Sequence, residues 1–157
     1  MLDSSTYSQL LGLYADYAAA LDNGELDRWP EFFLDECVYK VQPRENFDRG
    51  FPLATISLES KGMLKDRVFG VRETLFHDPY YQRHVVGAPR VLADDGERLS
   101  VEANYAVFRT KQSKLSEVFN TGRYVDLVQR TQKGMKFASR ICVFDSEMIP
   151  NSIIYPI

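Results

Sequence analysis

Cysteine and histidine are scarce in this chain. Among 157 residues there are two cysteines, Cys37 and Cys142, and two histidines, His77 and His84. A cysteine-based zinc site or a four-cysteine iron–sulfur cluster therefore lacks ligands within one chain. A Rieske centre needs two of each. The count is met, but neither pair has the close spacing such a cluster uses. One disulfide stays open on the count alone. No charged n-region followed by an apolar h-region opens the sequence, so the expected compartment is the reducing cytoplasm, with both thiols free and buried. No apolar run approaches the ~18 residues of a membrane span. Positive charge is also short: 19 Lys and Arg against 22 Asp and Glu leave a net charge of −3, which argues against nucleic acid and anionic membranes as partners.

What is present is ordinary in amount and rich in rings. Hydrophobic residues make up 45% and charged residues 26%, which excludes a disordered chain. Aromatics reach 13%, with ten Phe, nine Tyr and one Trp. The length suits one domain over 1–157, large enough for a core that needs neither metal nor disulfide. There is no repeat, low-complexity tract or linker.

Helical spacing of Tyr7, Leu10, Leu11, Tyr14, Tyr17, Ala18 and Leu21 predicts a helix over 6–22. Thr6 and Gln9 fit a capping box at its start, and Asn23-Gly24 a stop at its end. A second short helix is expected over 25–33, divided by Pro30. Cys37 to Gln42 reads as a strand. Residues 43 to 57 read as a connection, with a short strand over 54–58. A third helix is expected over 61–76, because Leu64, Val68, Val71 and Leu75 share one face. After Pro79 the period changes to two. Strands are expected over 83–92, 98–110, 117–131 and 135–149, with turns at Asp94-Asp95-Gly96 and Gln132-Lys133-Gly134. The alternating sets are Leu99, Val101, Ala103, Tyr105, Val107; Phe119, Thr121, Arg123, Val125, Leu127; and Met135, Phe137, Ser139, Ile141, Val143. The class is α+β, with N-terminal helices packed on one face of a curved antiparallel sheet. The last ten residues are rich in Met, Ile and Tyr, unlike a frayed terminus. They dock either on the chain's own sheet or on another subunit.

This order of elements is similar to the cone-shaped fold shared by nuclear transport factor 2, scytalone dehydratase and ketosteroid isomerase. Local segments point further. Asp27-Arg28-Trp29-Pro30-Glu31-Phe32-Phe33, Asp35 to Val41, Met63 to Val68, Tyr81-Gln82-Arg83-His84, Gly122 to Asp126 and Arg140 to Asp145 together resemble the small (β) subunits of aromatic-ring-hydroxylating oxygenases. Those acting on salicylate, terephthalate or anthranilate are the nearest in character. The resemblance covers nearly the whole chain. It implies a mainly structural β subunit of a dioxygenase or monooxygenase, with no catalytic residue and no cofactor of its own. A Rieske [2Fe-2S] cluster and a mononuclear Fe(II) are expected on the partner α subunit. It further implies an α3β3 hexamer with β–β trimer contacts, and a reductase and ferredoxin supplying electrons from NAD(P)H.

The candidate residues each carry two readings. His77, Asp78 and His84 are the only set that resembles a two-histidine, one-carboxylate iron site, but their spacing matches no metal signature. Arg67, beside Asp66, suits an intrachain ion pair or a contact with a substrate or α-subunit carboxylate. Arg83, Arg123 and Arg140 fall on the sheet and become subunit contacts if they face outward; Tyr155 in the tail joins them. Trp29 with Phe32 and Phe33 reads as a core plug rather than an interface anchor. Tyr14, Tyr17, Tyr39, Tyr105 and Tyr124 suit the lining of an interior. Asp126 or Asp16 with His84 would supply the acid–base pair that an independent lyase or isomerase needs.

Overall fold

The computed structural model describes residues 2–149 and 152–157. Helix α1 spans Ser4–Asp22. Its cap is Asp3, not Thr6: the Asp3 carboxylate accepts from the Thr6 backbone N–H at 2.9 Å and from the Thr6 hydroxyl at 2.6 Å. An acceptor-only carboxylate serves an orphan amide at the positive helix end better than a hydroxyl does. Leu10, Leu13, Tyr14, Tyr17, Ala20 and Leu21 form the buried face.

A 3₁₀ helix follows over Leu26–Phe32 and runs through Pro30 without dividing. So short a 3₁₀ segment has few hydrogen bonds for proline to remove. Strand β1 then runs over Phe33–Pro43, longer than its central apolar stretch suggested. A five-residue helix, α2 (Arg44–Asp48), lies in the segment expected to be irregular. Strand β2 is Ile56–Leu58. Helix α3 covers Lys61–Phe69, capped by the Ser60 hydroxyl on the Met63 N–H. Its expected continuation to 76 opens into a π-helical turn over Gly70–Thr74, closed by Leu75 N–H to Gly70 O at 2.8 Å.

The strand expected over 83–92 is two strands, β3 (Tyr80–Val86) and β4 (Arg90–Asp94). Both lie along β5 (Arg98–Lys111), β3 on its second half and β4 on its first. The break falls at Gly87-Ala88-Pro89, where proline has no N–H for the ladder. Strand β6 (Glu117–Thr131) matches expectation, and β7 (Gly134–Phe144) stops short of 149. Gly96 and Gly134 sit at φ +93° and +95°, the left-handed region the two hairpin turns require.

The sheet order is β2-β1-β7-β6-β5-β3, with β4 also on β5. All pairs are antiparallel except β1 with β7, which is parallel. The chain can make that parallel pair because β1 and β7 are far apart in sequence and the meander returns to it. Helix α1 packs across the concave face against β3 and β7. The core lies between them: Trp29, Phe33, Tyr39, Val41, Leu64, Leu99, Tyr124 and Phe137 are among its fully enclosed side chains. Trp29 is therefore core, at 5.0 Å edge-on to Tyr39.

Candidate functional site

At the centre of the concave face β7 presents Arg140 and β6 presents Asp126. Both side chains are wholly enclosed. Arg140 donates from Nε to Asp126 Oδ1 at 3.0 Å and from Nη2 to Oδ2 at 2.7 Å. The Tyr14 hydroxyl donates to the same carboxylate. The guanidinium carbon stands 3.8 Å from the ring centre of Tyr124, 4.0 Å from Phe137, 4.3 Å from Tyr17 and 4.8 Å from Tyr14. A desolvated cation surrounded by ring faces gains from each quadrupole. Arg140 thus faces inward, which removes it from the subunit-contact set: an arginine with no exposed surface cannot meet another chain.

Arg140 faces inward because of a β-bulge. Val128 pairs with Phe137, yet the next residue back, Leu127, pairs with Ser139, so Ala138 is extra. Beyond it the inward parity switches from Met135 and Phe137 to Arg140, Cys142 and Phe144. The expected run through Ser139, Ile141 and Val143 therefore changes faces midway. On β6 the inward set is Tyr124, Asp126 and Val128, and Arg123, Val125 and Leu127 point the other way.

Much of the space under the sheet is taken by the chain's own C-terminal segment, beside a pocket of about 440 Å³ lined by Leu21, Leu26, His77, Tyr80, Gln82 and Tyr155. Ile157 is fully enclosed. Its N–H donates to the Tyr39 hydroxyl at 2.9 Å, and the Tyr17 hydroxyl donates to its carbonyl at 2.7 Å. Trp29 Nε1 donates to Tyr17 Oη at 3.2 Å, which fixes that hydroxyl. Ile153 is buried as well. Arg67 on α3 donates from Nη2 to the carbonyls of Ile153 and Ile154 at 2.8 and 3.1 Å. Its partner is thus the tail backbone, not the adjacent Asp66. The Tyr155 hydroxyl meets His77 Nε2 at 3.0 Å, and its ring packs on Tyr80. Burial pushes the hydroxyls of Tyr14, Tyr17, Tyr39, Tyr105 and Tyr124 above their ordinary range. It also pushes the Cys142 thiol up to about 12. Both thiols are free and buried.

The acid–base and metal sets weighed as alternatives do not assemble among the described residues. His84 Nδ1 is 2.6 Å from Asp22 Oδ1, and the same carboxylate accepts the His84 backbone N–H. The histidine's partner is therefore Asp22, which the sequence reading did not single out. Asp126 is committed to Arg140, and Asp16 is exposed. His77 is held by Tyr155 and His84 by Asp22. Among the described residues no three His, Cys, Asp or Glu side chains group closely enough to hold a metal.

The convex face is different. Tyr81, Arg83 and Val85 of β3 pair with Thr110, Phe108 and Ala106 of β5, and Phe108 pairs with Val118 of β6. Tyr81, Val85 and Val118 are 79%, 56% and 61% exposed. Arg83 extends beside them with 72% of its side chain in solvent. Arg123 lies on the same face, near Asp48 at 3.5 Å and Glu102 at 3.9 Å. Among the described residues no helix is long and apolar enough to cross a membrane.

A curved sheet over helices, an interior packed around the Arg140–Asp126 pair and an exposed convex face make up the architecture. Residues 17–151 match the family described as ring hydroxylating beta subunit, and the chain belongs to that family. It is 30% identical, over 99% of its length and 96% of the relative's, to the small subunit of anthranilate 1,2-dioxygenase from Burkholderia cepacia. It is 28% identical, over 95% of its length and 97% of the relative's, to a beta subunit of the terminal oxygenase of terephthalate 1,2-dioxygenase from a Comamonas species. A crystal structure of a beta subunit assigned to an aromatic-ring-hydroxylating dioxygenase of Novosphingobium aromaticivorans superposes with a TM-score of 0.88. That pair shares 35% identity over 96% of this chain and 95% of the other. The chain is the small beta subunit of an aromatic-ring-hydroxylating dioxygenase, a multi-subunit oxygenase with an α partner.

Proposed function

We propose that this subunit is structural: it holds an α subunit carrying the Rieske [2Fe-2S] cluster and the mononuclear Fe(II), and performs no chemistry of its own. The observation that carries this reading is the filled centre of the interior. The centre of the concave space, in which a cone-shaped lyase would bind substrate, is occupied by Arg140, Asp126, the tyrosines and Ile157. The outer sheet face supplies the contact surface in this proposal. Arg83 and Arg123 flank exposed Tyr81, Val85 and Val118, a combination of arginine and aromatic or aliphatic groups that suits an interface. Arg67 and Tyr155 act indirectly, by fixing the tail.

The assembly is proposed to be α3β3, with β–β contacts in a closed ring. A reductase and ferredoxin feed electrons to the α subunit, and the complex works in the cytoplasm. The substrate is an aromatic carboxylate of the anthranilate or terephthalate kind, in keeping with the relatives' names. Co-expression with the candidate α subunit tests the reading. Metal-free β chain, inactive alone and co-purifying in equal numbers with an iron-loaded, active α subunit, is the expected result. Turnover of an aromatic substrate by the β chain alone, or no association with α, overturns it.

A further inference from the structure

The C-terminal segment is bound in the way a peptide is bound. Residues 152–157 belong to no helix or strand. They are held through their backbone: Arg67 at the carbonyls of Ile153 and Ile154, Tyr39 at the Ile157 N–H and Tyr17 at the Ile157 carbonyl. Side chains Ile153 and Ile157 fill apolar recesses between these anchors. Main-chain hydrogen bonds supplying affinity and side-chain recesses supplying selectivity are the division of labour of peptide recognition.

The strands and helices are complete before the segment begins. The sheet order and pairing register, α1, α3 and the Arg140–Asp126 pair involve residues up to Phe144 only. The match to the family also ends at residue 151, before the segment begins. The chain between β7 and the segment is exposed from Asp145 to Met148.

We propose that the concave chamber is a peptide-binding site and that residues 152–157 are its resident, exchangeable ligand. The chamber's chemistry sets the class it accepts: a short segment without charged side chains that offers a branched aliphatic residue whose N–H and main-chain oxygen reach Tyr39 and Tyr17. The segment itself, Ser-Ile-Ile-Tyr-Pro-Ile, carries no charged side chain. This inference goes beyond the structural-subunit reading and does not depend on it.

The test places a protease site in the exposed 145–148 stretch of the full chain and cuts it after folding. A dye-labelled synthetic peptide of residues 152–157 is then added and followed by anisotropy. Circular dichroism and Trp29 fluorescence report whether the rest stays folded. The expected result is saturable uptake of the labelled peptide, reversed by unlabelled peptide, with the fold retained. Tyr39→Phe, which deletes the acceptor of the Ile157 N–H, is expected to weaken uptake about tenfold. Arg67→Met, at the rim, is the second variant should Tyr39→Phe fail to fold. Three results overturn the proposal. The cut segment stays and exchanges only when the whole chain unfolds; or its departure unfolds the chain; or uptake is indifferent to both variants and to scrambling the peptide.

Discussion

Arg140 and Asp126 are joined by two hydrogen bonds, at 3.0 and 2.7 Å, and neither side chain has any surface in water. Their mutual attraction and the Tyr14 hydroxyl offset a large desolvation cost. Removing one partner strands the other as a buried charge, which costs about 3–5 kcal/mol. Arg140→Met is therefore expected to lower the melting temperature by roughly 10 °C. The double variant Arg140→Met/Asp126→Leu, which removes both charges, is expected to recover most of that. Calorimetry of the two variants checks it; a double variant no better than the single one contradicts the account.

The enclosed acids make the fold sensitive to alkali. Cys142 and the five buried tyrosines all have folded-state values raised by burial, so the unfolded chain releases these protons first. Between the unfolded and folded values the unfolded state binds fewer protons, and stability falls as pH rises. Loss begins near pH 9 with the thiol, whose folded value is about 12, and deepens above pH 10 with the tyrosines. At pH 10 Cys142 alone accounts for a loss on the order of 1 kcal/mol. Urea titrations across this range are expected to show the decline. Cys142→Ala is expected to flatten its first part.

Gly122 on β6 faces Phe144 on β7, and a methyl group there would stand 1.9 Å from the Val143 carbonyl oxygen. The obstacle is backbone of the neighbouring strand, which cannot rotate aside. Gly122→Ala is expected to destabilise by about 1–3 kcal/mol or more, seen as an earlier urea midpoint. A change within 0.5 kcal/mol would show that the strands separate there at little cost.

Substitutions on the convex face should separate folding from assembly. Tyr81→Lys and Val118→Glu alter exposed side chains, so the isolated chain is expected to keep its melting temperature within about 0.5 kcal/mol of stability. Co-purification with the α subunit is expected to drop. Unchanged complex yield in both variants would move the contact surface elsewhere.

Much of this architecture is legible in the sequence. The buried series Leu99 to Val107 on β5 follows strict alternation, and glycine marks both hairpin turns. Period 3.6 finds α1 and the start of α3. Where reading fails, a local irregularity has changed the period. Ala138 shifts the parity of β7 and sends Arg140 inward. Pro89 divides one apparent strand into two. Helix α3 widens into a π turn over Gly70–Thr74. A bulge changes which face every later side chain occupies, yet alters composition not at all. The Asp22–His84 contact spans 62 residues, and nothing local announces it. The tail was conspicuous by its apolarity, but its destination depends on three tertiary partners, Tyr17, Tyr39 and Arg67.

Strand β3 ends the sheet, so its outward amides are a template on which a foreign strand could grow. Asp22 occupies one of them: its carboxylate accepts the His84 N–H at 2.9 Å. A newly made chain that has not yet met its α subunit displays both this edge and a sticky convex face. The carboxylate at mid-edge interrupts the ladder where an intruding strand would need a carbonyl, and it repels the backbone oxygens such a strand brings. Asp22 thereby takes up the edge position at which fibrillar pairing along β3 would have to pass.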